Sequence, residues 1–156
     1  MINVEVPGRK AISLVGVLFD MNGTLTVDGV LGDEERRLLT QLGERLRVYV
    51  LTADTFGTAA NVFAGLPLEL RKLTSNCGHL EKKAFLAGLG SGVHAAVGNG
   101  FNDHLMLREA ALGVCVLGQE GAHPQTLNNA DLVVPSAIDA IKLFLNPRRI
   151  VAGLRL

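Results

Sequence analysis

The sequence has no excess of charge of either sign: 15 Lys and Arg stand against 15 Asp and Glu. Bulk charge therefore offers nothing to a nucleic acid or an anionic membrane. The one dense basic pair, Arg148-Arg149, is too small for a phosphate-tracking stripe and reads as a solvated helix end or tail. Cysteine is scarce as well, with only Cys77 and Cys115, and no CxxC or Cys/His metal spacing. Cys115 lies in the apolar run from Leu112 to Leu117 and reads as a small buried hydrophobe. No apolar stretch approaches the ~20 residues a bilayer span needs. The opening MINVEVPGRK has no apolar h-region, so it is not a signal peptide. A reducing cytoplasm is the expected location. No repeat, low-complexity tract or linker interrupts the chain. Its 156 residues, 48% of them hydrophobic, are expected to form one domain, 1–156.

What is present is an alternation. Val15 to Phe19 is a short apolar run ending in Asp20 and reads as a buried strand. Val27-Asp28-Gly29-Val30 has turn chemistry between branched residues, which suggests a small flap. From Asp33 to Leu46, leucines 38, 39, 42 and 46 have helical spacing, with acids early. Further strands are expected at Arg47–Leu51, Leu68–Leu73, Val93–Val97, Val114–Leu117 and Leu132–Val134. Helices are expected at Gly57–Phe63, His79–Leu89, Asp103–Leu112, Pro124–Asn129 and Ala137–Leu145, the last ended by Pro147. Gly90 is placed to cap the second of these.

Strands alternating with helices predict an α/β fold: a Rossmann-like, doubly wound parallel sheet with helices on both faces and a small flap after the first core strand. Ligands of such sheets bind beyond the carboxyl ends of the strands. Three polar clusters fall at those ends: Asp20 to Thr24, Thr52-Ala53-Asp54, and Gly98 to Asp103.

These clusters carry a resemblance. FDMNGTLT around Asp20 resembles the first motif of the haloacid dehalogenase superfamily, and still more the phosphorylation motif of P-type ATPases. VLTAD, from Val50 to Asp54, looks like the second motif. Lys82 falls where the third motif's lysine belongs, with Lys83 as an adjacent rival. GNGFND, Gly98 to Asp103, looks like the fourth. The later stretches AALGVCVLG and NNADLVV, and the ending NPxRxxxxLR, are similar to the small soluble P-type-ATPase-like phosphatases of prokaryotes.

The resemblance implies a phosphatase in which Asp20 attacks phosphorus and forms an aspartyl phosphate. It implies Mg²⁺ held by the Asp20 carboxylate, the Asn22 carbonyl and the fourth motif, through Asn99 or Asp103. Lys82 would shield phosphate oxygens, and the Thr52 hydroxyl with the Gly23 and Ala53 amides would bind them. Asp103 could instead be a helix N-cap, Thr52 could cap as well as bind, and a capping role is equally open to Asp54. His104 could reach the cleft but reads as an exposed helix histidine, and His79, His94 and His123 show no ligand spacing.

Two residues depart from the pattern. Asn22 stands where these phosphatases usually carry the acid that protonates the leaving group, and Asn99 where the fourth motif has its first acid. Both predict weaker chemistry: slow turnover and loose magnesium binding. They also keep open an alternative, a phosphate-sensing or regulatory domain without turnover. The intervals between motifs leave no room for a cap domain, so the site should be open. A phosphorylated substrate is expected, with a large substrate or a second copy of the chain serving as lid.

Overall fold

The computed structural model describes residues 1–53 and 58–156. Strands β1 (Ile2–Val4) and β2 (Ile12–Leu14) form a separate antiparallel pair. Strand β3 (Gly16–Asp20) is buried at every position, as a strand covered on both faces must be. After it, Val27 and Val30 pair across Asp28 (φ 50°) and Gly29 (φ 79°). Two positive φ angles in a two-residue loop are what a tight hairpin needs, and they account for the Asp-Gly sequence of the flap.

The remaining elements wind around β3. They are α1 (Asp33–Gly43), β4 (Arg47–Thr52), α2 (Ala59–Val62), β5 (Glu69–Lys72), α3 (Gly78–Leu89) and β6 (His94–Gly98). Then follow a 3₁₀ turn at Phe101–Asp103, α4 (His104–Glu109), β7 (Leu112–Val116), α5 (Pro124–Asn128), β8 (Leu132–Val134), α6 (Ala137–Leu145) and α7 (Arg148–Leu154). The six-stranded parallel sheet runs β5-β4-β3-β6-β7-β8. Winding proceeds outward from β3 on one side, then returns to place β6 on its other side, with Phe19 opposite Val97. That reversal opens a crevice at the carboxyl ends of β3 and β6.

The period of two along each strand divides the core. Val17, Phe19, Val48, Val50, Ala95 and Val97 face α1 and α6, where they meet Leu39, Leu42, Ile141 and Phe144. Leu18, Tyr49, Leu51, Ala96 and Cys115 face α3 and α4, where they meet Leu86, Met106 and Leu107. Among the described residues no helix is long and apolar enough to cross a membrane.

Four expectations shift. The β1–β2 pair was not foreseen, because three-residue strands separated by a Pro-Gly turn leave almost no periodic signal. Helix α6 ends at Leu145 ahead of Pro147 as expected, but a further helix, α7, follows, with Pro147 at its N-cap (φ −58°), where a missing N–H costs nothing. The helix expected from Asp103 to Leu112 stops at Glu109, because Leu112 is taken into β7. The helix expected from Gly57 is described from Ala59, and Gly57 lies outside the described residues.

Candidate active site

The nucleophile loop is built on one carbonyl. The N–H groups of Thr24, Leu25 and Thr26 all donate to Met21 O, at 3.3, 2.9 and 3.0 Å. Gly23, at φ 77°, makes the turn in the left-handed region that glycine enters without strain. Its N–H was expected to bind a phosphate oxygen but donates to Thr26 O at 2.9 Å, so the turn already uses it. The folded loop brings Thr24 Oγ1 to 3.2 Å from Asp20 Oδ2 and 2.9 Å from Asn99 Oδ1.

Helix α3 delivers the cation. Lys82 shares a helix face with Leu86, four residues on, and both are fully buried. Lys82 Nζ donates to Asp20 Oδ1 at 2.5 Å and to Asp103 Oδ1 at 2.6 Å. Lys83 points elsewhere and meets Glu109 at 3.4 Å. Asp103 is also fully buried, and its Oδ2 accepts the N–H groups of Asn99 (3.0 Å) and Gly100 (2.9 Å). Both its oxygens are therefore committed to protein donors. It fastens the lysine and closes the loop.

Asn99 is oriented by its neighbours. Its Nδ2 donates to Gly121 O at 2.9 Å, which turns Oδ1 toward the Thr24 hydroxyl. Asn22 is exposed at the lip, its Oδ1 3.4 Å from Thr26 Oγ1. Among the described residues the Asn22 carbonyl accepts no hydrogen bond. Thr52 is buried at the end of β4, Ala53 follows it at the surface, and Asp54 lies outside the described residues. His104 corrects its sequence reading: it is 7% exposed, with Nδ1 against Phe101 O. His94 is buried with Nδ1 2.9 Å from Gly90 O, and His123 Nδ1 accepts the Gln125 N–H at 3.1 Å.

The electrostatics follow from the packing. Burial, then the charge of Asp103, pushes the Asp20 carboxyl up to about 7, against the pull of Lys82 and Thr24. Burial opposes the charge of Lys82, but Asp20 and Asp103 outweigh it and hold its pKa above the ordinary lysine value. Two carboxylates thus share one ammonium in a dry pocket. Asp20 Oδ2 and Asn99 Oδ1 converge on the Thr24 hydroxyl, and the Asn22 carbonyl belongs to the same loop. No group of three or more His, Cys, Asp or Glu side chains suited to a metal occurs among the described residues. An all-oxygen set with one carboxylate excludes a zinc-type site. It fits a hard cation that keeps several waters, as magnesium does.

Sequence reasoning missed Thr24, which links the nucleophile to Asn99, and the loop 117–123, which holds Asn99 from behind. Thr24 at least stood within the first motif; the loop carried no signal.

The fold is shared with solved haloacid dehalogenase-type hydrolases, among them one from Legionella pneumophila, TM-score 0.69 at 19% identity, covering 90% of this chain and 87% of that one. The 3-deoxy-D-manno-octulosonate 8-phosphate phosphatase of Moraxella catarrhalis, solved with magnesium ion, phosphate ion and KDO, superposes with a TM-score of 0.73. That match covers 90% of each chain at 15% identity. The cobalt-bound deoxy-D-mannose-octulosonate 8-phosphate phosphatase from Haemophilus influenzae gives a TM-score of 0.73 at 16% identity, over 90% of this chain and 92% of that one. No family model matches the chain. Protein MJ0073 of Methanocaldococcus jannaschii is 48% identical over 60 residues, 38% of this chain, and the chain spans 64% of that curated relative's length. Protein MJ0072 of the same organism is 44% identical over 39 residues, 25% of this chain and 89% of that protein. The chain belongs to one family with MJ0072.

Proposed function

We propose that residues 1–156 act as one magnesium-dependent phosphatase domain in the cytoplasm, with Asp20 as nucleophile. The observation that carries this reading is the buried contact of Lys82 with Asp20 at the carboxyl end of β3, beside the crevice where the winding reverses. The magnesium and phosphate bound by the Moraxella phosphatase of the same fold support it.

One carboxylate oxygen of Asp20 attacks phosphorus; its bond to phosphorus forms as the bond to the leaving oxygen breaks. Asn22 cannot donate a proton, so the leaving oxygen takes one from water. A second water then attacks the aspartyl phosphate, loses its proton to solvent and releases Asp20. Lys82 neutralises the phosphoryl oxygens and keeps Asp20 aimed, while the Thr52 hydroxyl and Ala53 amide hold the oxygens that face β4. Asp20, the Asn22 carbonyl and Asn99 would hold magnesium, with Asp103 adding charge from behind Lys82. Magnesium, when bound, supplies the positive charge that lets a phosphate dianion approach a carboxylate.

Missing general acid–base help, typically worth roughly 10²–10⁴-fold, makes turnover slow and the phosphoenzyme long-lived, as in the P-type pumps that the first motif resembles. The open rim calls for a large phosphorylated substrate or a second copy as lid. Asp20→Asn tests the mechanism. It should abolish magnesium-dependent phosphate release from an aryl phosphate and prevent the beryllofluoride adduct, while the fold survives. Undiminished release by this variant rules the mechanism out. Asn22 and Asn99 also support a second reading, phosphate sensing without turnover. Under it the wild type would bind beryllofluoride with magnesium and release no phosphate in the steady state.

A further inference from the structure

The candidate site is short of negative charge on the side away from Lys82. Asp20 and Asp103 both contact the lysine, and Asn99 brings an oxygen without charge. The loop that follows β7 wraps this neutral side. Gly121 O holds the Asn99 side chain, and the His123 N–H donates to Asn99 O at 2.8 Å. A Cβ on Gly118 would come within 3.1 Å of Gly23 O, so this loop and the nucleophile loop are in close backbone contact.

Between these contacts stands Glu120. Its Oε1 accepts the backbone N–H of Asp28 at 2.9 Å, tying the flap tip down. Glu120 is exposed, and its Oε2 reaches the nucleophile loop: a Cβ built on Gly23 would lie 3.0 Å from it and 2.5 Å from Asn99 Nδ2. The carboxylate therefore adjoins Asn99 and the residue after Asn22 at one point. No Lys or Arg among the described residues pairs with it.

We propose that Glu120 supplies, from a different loop, the negative charge that Asn99 does not bring to the cation site. This rests on the proposed magnesium site and deepens it. Glu120 acts through the field at the ion, with water between, and is a positioning residue in that sense. A carboxylate near a divalent cation attracts it even without direct contact, and the attraction falls with salt. One loop would then do two things: close the flap over the crevice and complete the charge balance beneath it.

The rival is a latch alone, with Glu120 serving only to hold the Asp28 N–H. Glu120→Gln separates the two, because an amide oxygen still accepts that hydrogen bond while the charge is gone. The probe is Mn²⁺, its free concentration read by electron paramagnetic resonance on the whole chain at low ionic strength, with no substrate present. Thermal melting of each variant checks that it is folded. Glu120→Gln should weaken Mn²⁺ binding roughly fivefold, the scale of one nearby charge in a water-like dielectric. The ratio to wild type should shrink toward one at ~1 M salt. Asn99→Asp should tighten binding, and in that background Glu120→Gln should cost twofold or less, since neighbouring charges do not act additively. Asp20→Ala should abolish binding in every background. If Asp20→Ala loses Mn²⁺ while Glu120→Gln binds it as tightly as wild type, the role of Glu120 is overturned and the site stands. If Asp20→Ala binds Mn²⁺ normally, the site itself is misplaced and the inference goes with it.

Discussion

Lys82 and Lys83 follow one another on α3 and sit in different solvents. Lys82 is fully buried, between Asp20 and Asp103. Lys83 is 40% exposed and faces an equally wet Glu109. The contrast extends to the whole site. Its interior is a dry triad in which each charge depends on the others. Its rim, with Asn22, Asp28, Glu120 and the surface pairs, is solvated and locally replaceable. A surface ion pair is worth about 0–1 kcal/mol. Breaking a buried one leaves an uncompensated charge and costs about 3–5 kcal/mol. Sequence distance of one residue therefore separates two energetic regimes, and the helix face decides between them.

The largest effect is expected from breaking the interior. Lys82→Met keeps the length of the side chain and removes its charge, leaving Asp20 and Asp103 facing each other in a dry pocket. Urea unfolding should show a loss of about 3–5 kcal/mol, and phosphate release should disappear. Lys83→Met should stay within about 0.5 kcal/mol of wild type with activity intact. Equal losses from the two variants would mean that the buried triad is not the energetic centre of the site.

Asn22→Asp cuts across the division, since it asks an exposed rim residue to change the chemistry. The substitution is nearly isosteric and adds a proton carrier two residues from Asp20. Single-turnover decay of the phosphoenzyme should speed up, by as much as roughly 10²-fold on the scale of general base catalysis. Repulsion of substrate by the new charge would appear separately, as a raised KM beside the faster decay. Decay that is unchanged or slower would show that Asn22 does not occupy the acid–base position.

The same division explains what the sequence made legible. Strands β3, β4, β6 and β7 each carry an apolar run, with polar residues only at the strand ends, and their order with the helices was readable from pattern alone. The four motif segments were readable by resemblance, because each is contiguous. Between Lys82 and Lys83 the sequence left a choice; the structure sets Lys82 on the face of Leu86. Contacts formed across long separations left no local trace. Thr24 meets Asn99 from 75 residues away, and Glu120 meets Asp28 from 92. Neither link has a period or a motif, because each is created by loops that the sheet brings together. The β1–β2 pair and α7 were lost for a different reason: they are short, and Pro-Gly and Asn-Pro read as stops.

The smallest effect belongs to the rim itself, at Glu81, next to Lys82 in sequence. Its carboxylate accepts the Ser75 N–H at 2.8 Å and the Thr74 N–H at 3.0 Å, folding the segment after β5 onto the start of α3. Those backbone donors, Ser75 first, hold the Glu81 carboxyl below its ordinary value of 4.5. A folded-state pKa below the unfolded one means that the unfolded chain binds the proton more readily. The stabilisation is therefore complete above pH 4.5 and is lost as pH falls through the lower folded-state value. Hydrogen exchange of the Thr74 and Ser75 amides should be slow at pH 6, and their protection should fall away below pH 4.5 faster than that of the β3 amides. Glu81→Gln should lower the protection at pH 6 and remove its acid dependence, with activity nearly unchanged because the lysine beside it is held by Asp20 and Asp103. If the variant instead lost activity as Lys82→Met does, the rim would be carrying the interior, and the separation between adjacent residues of α3 would fail.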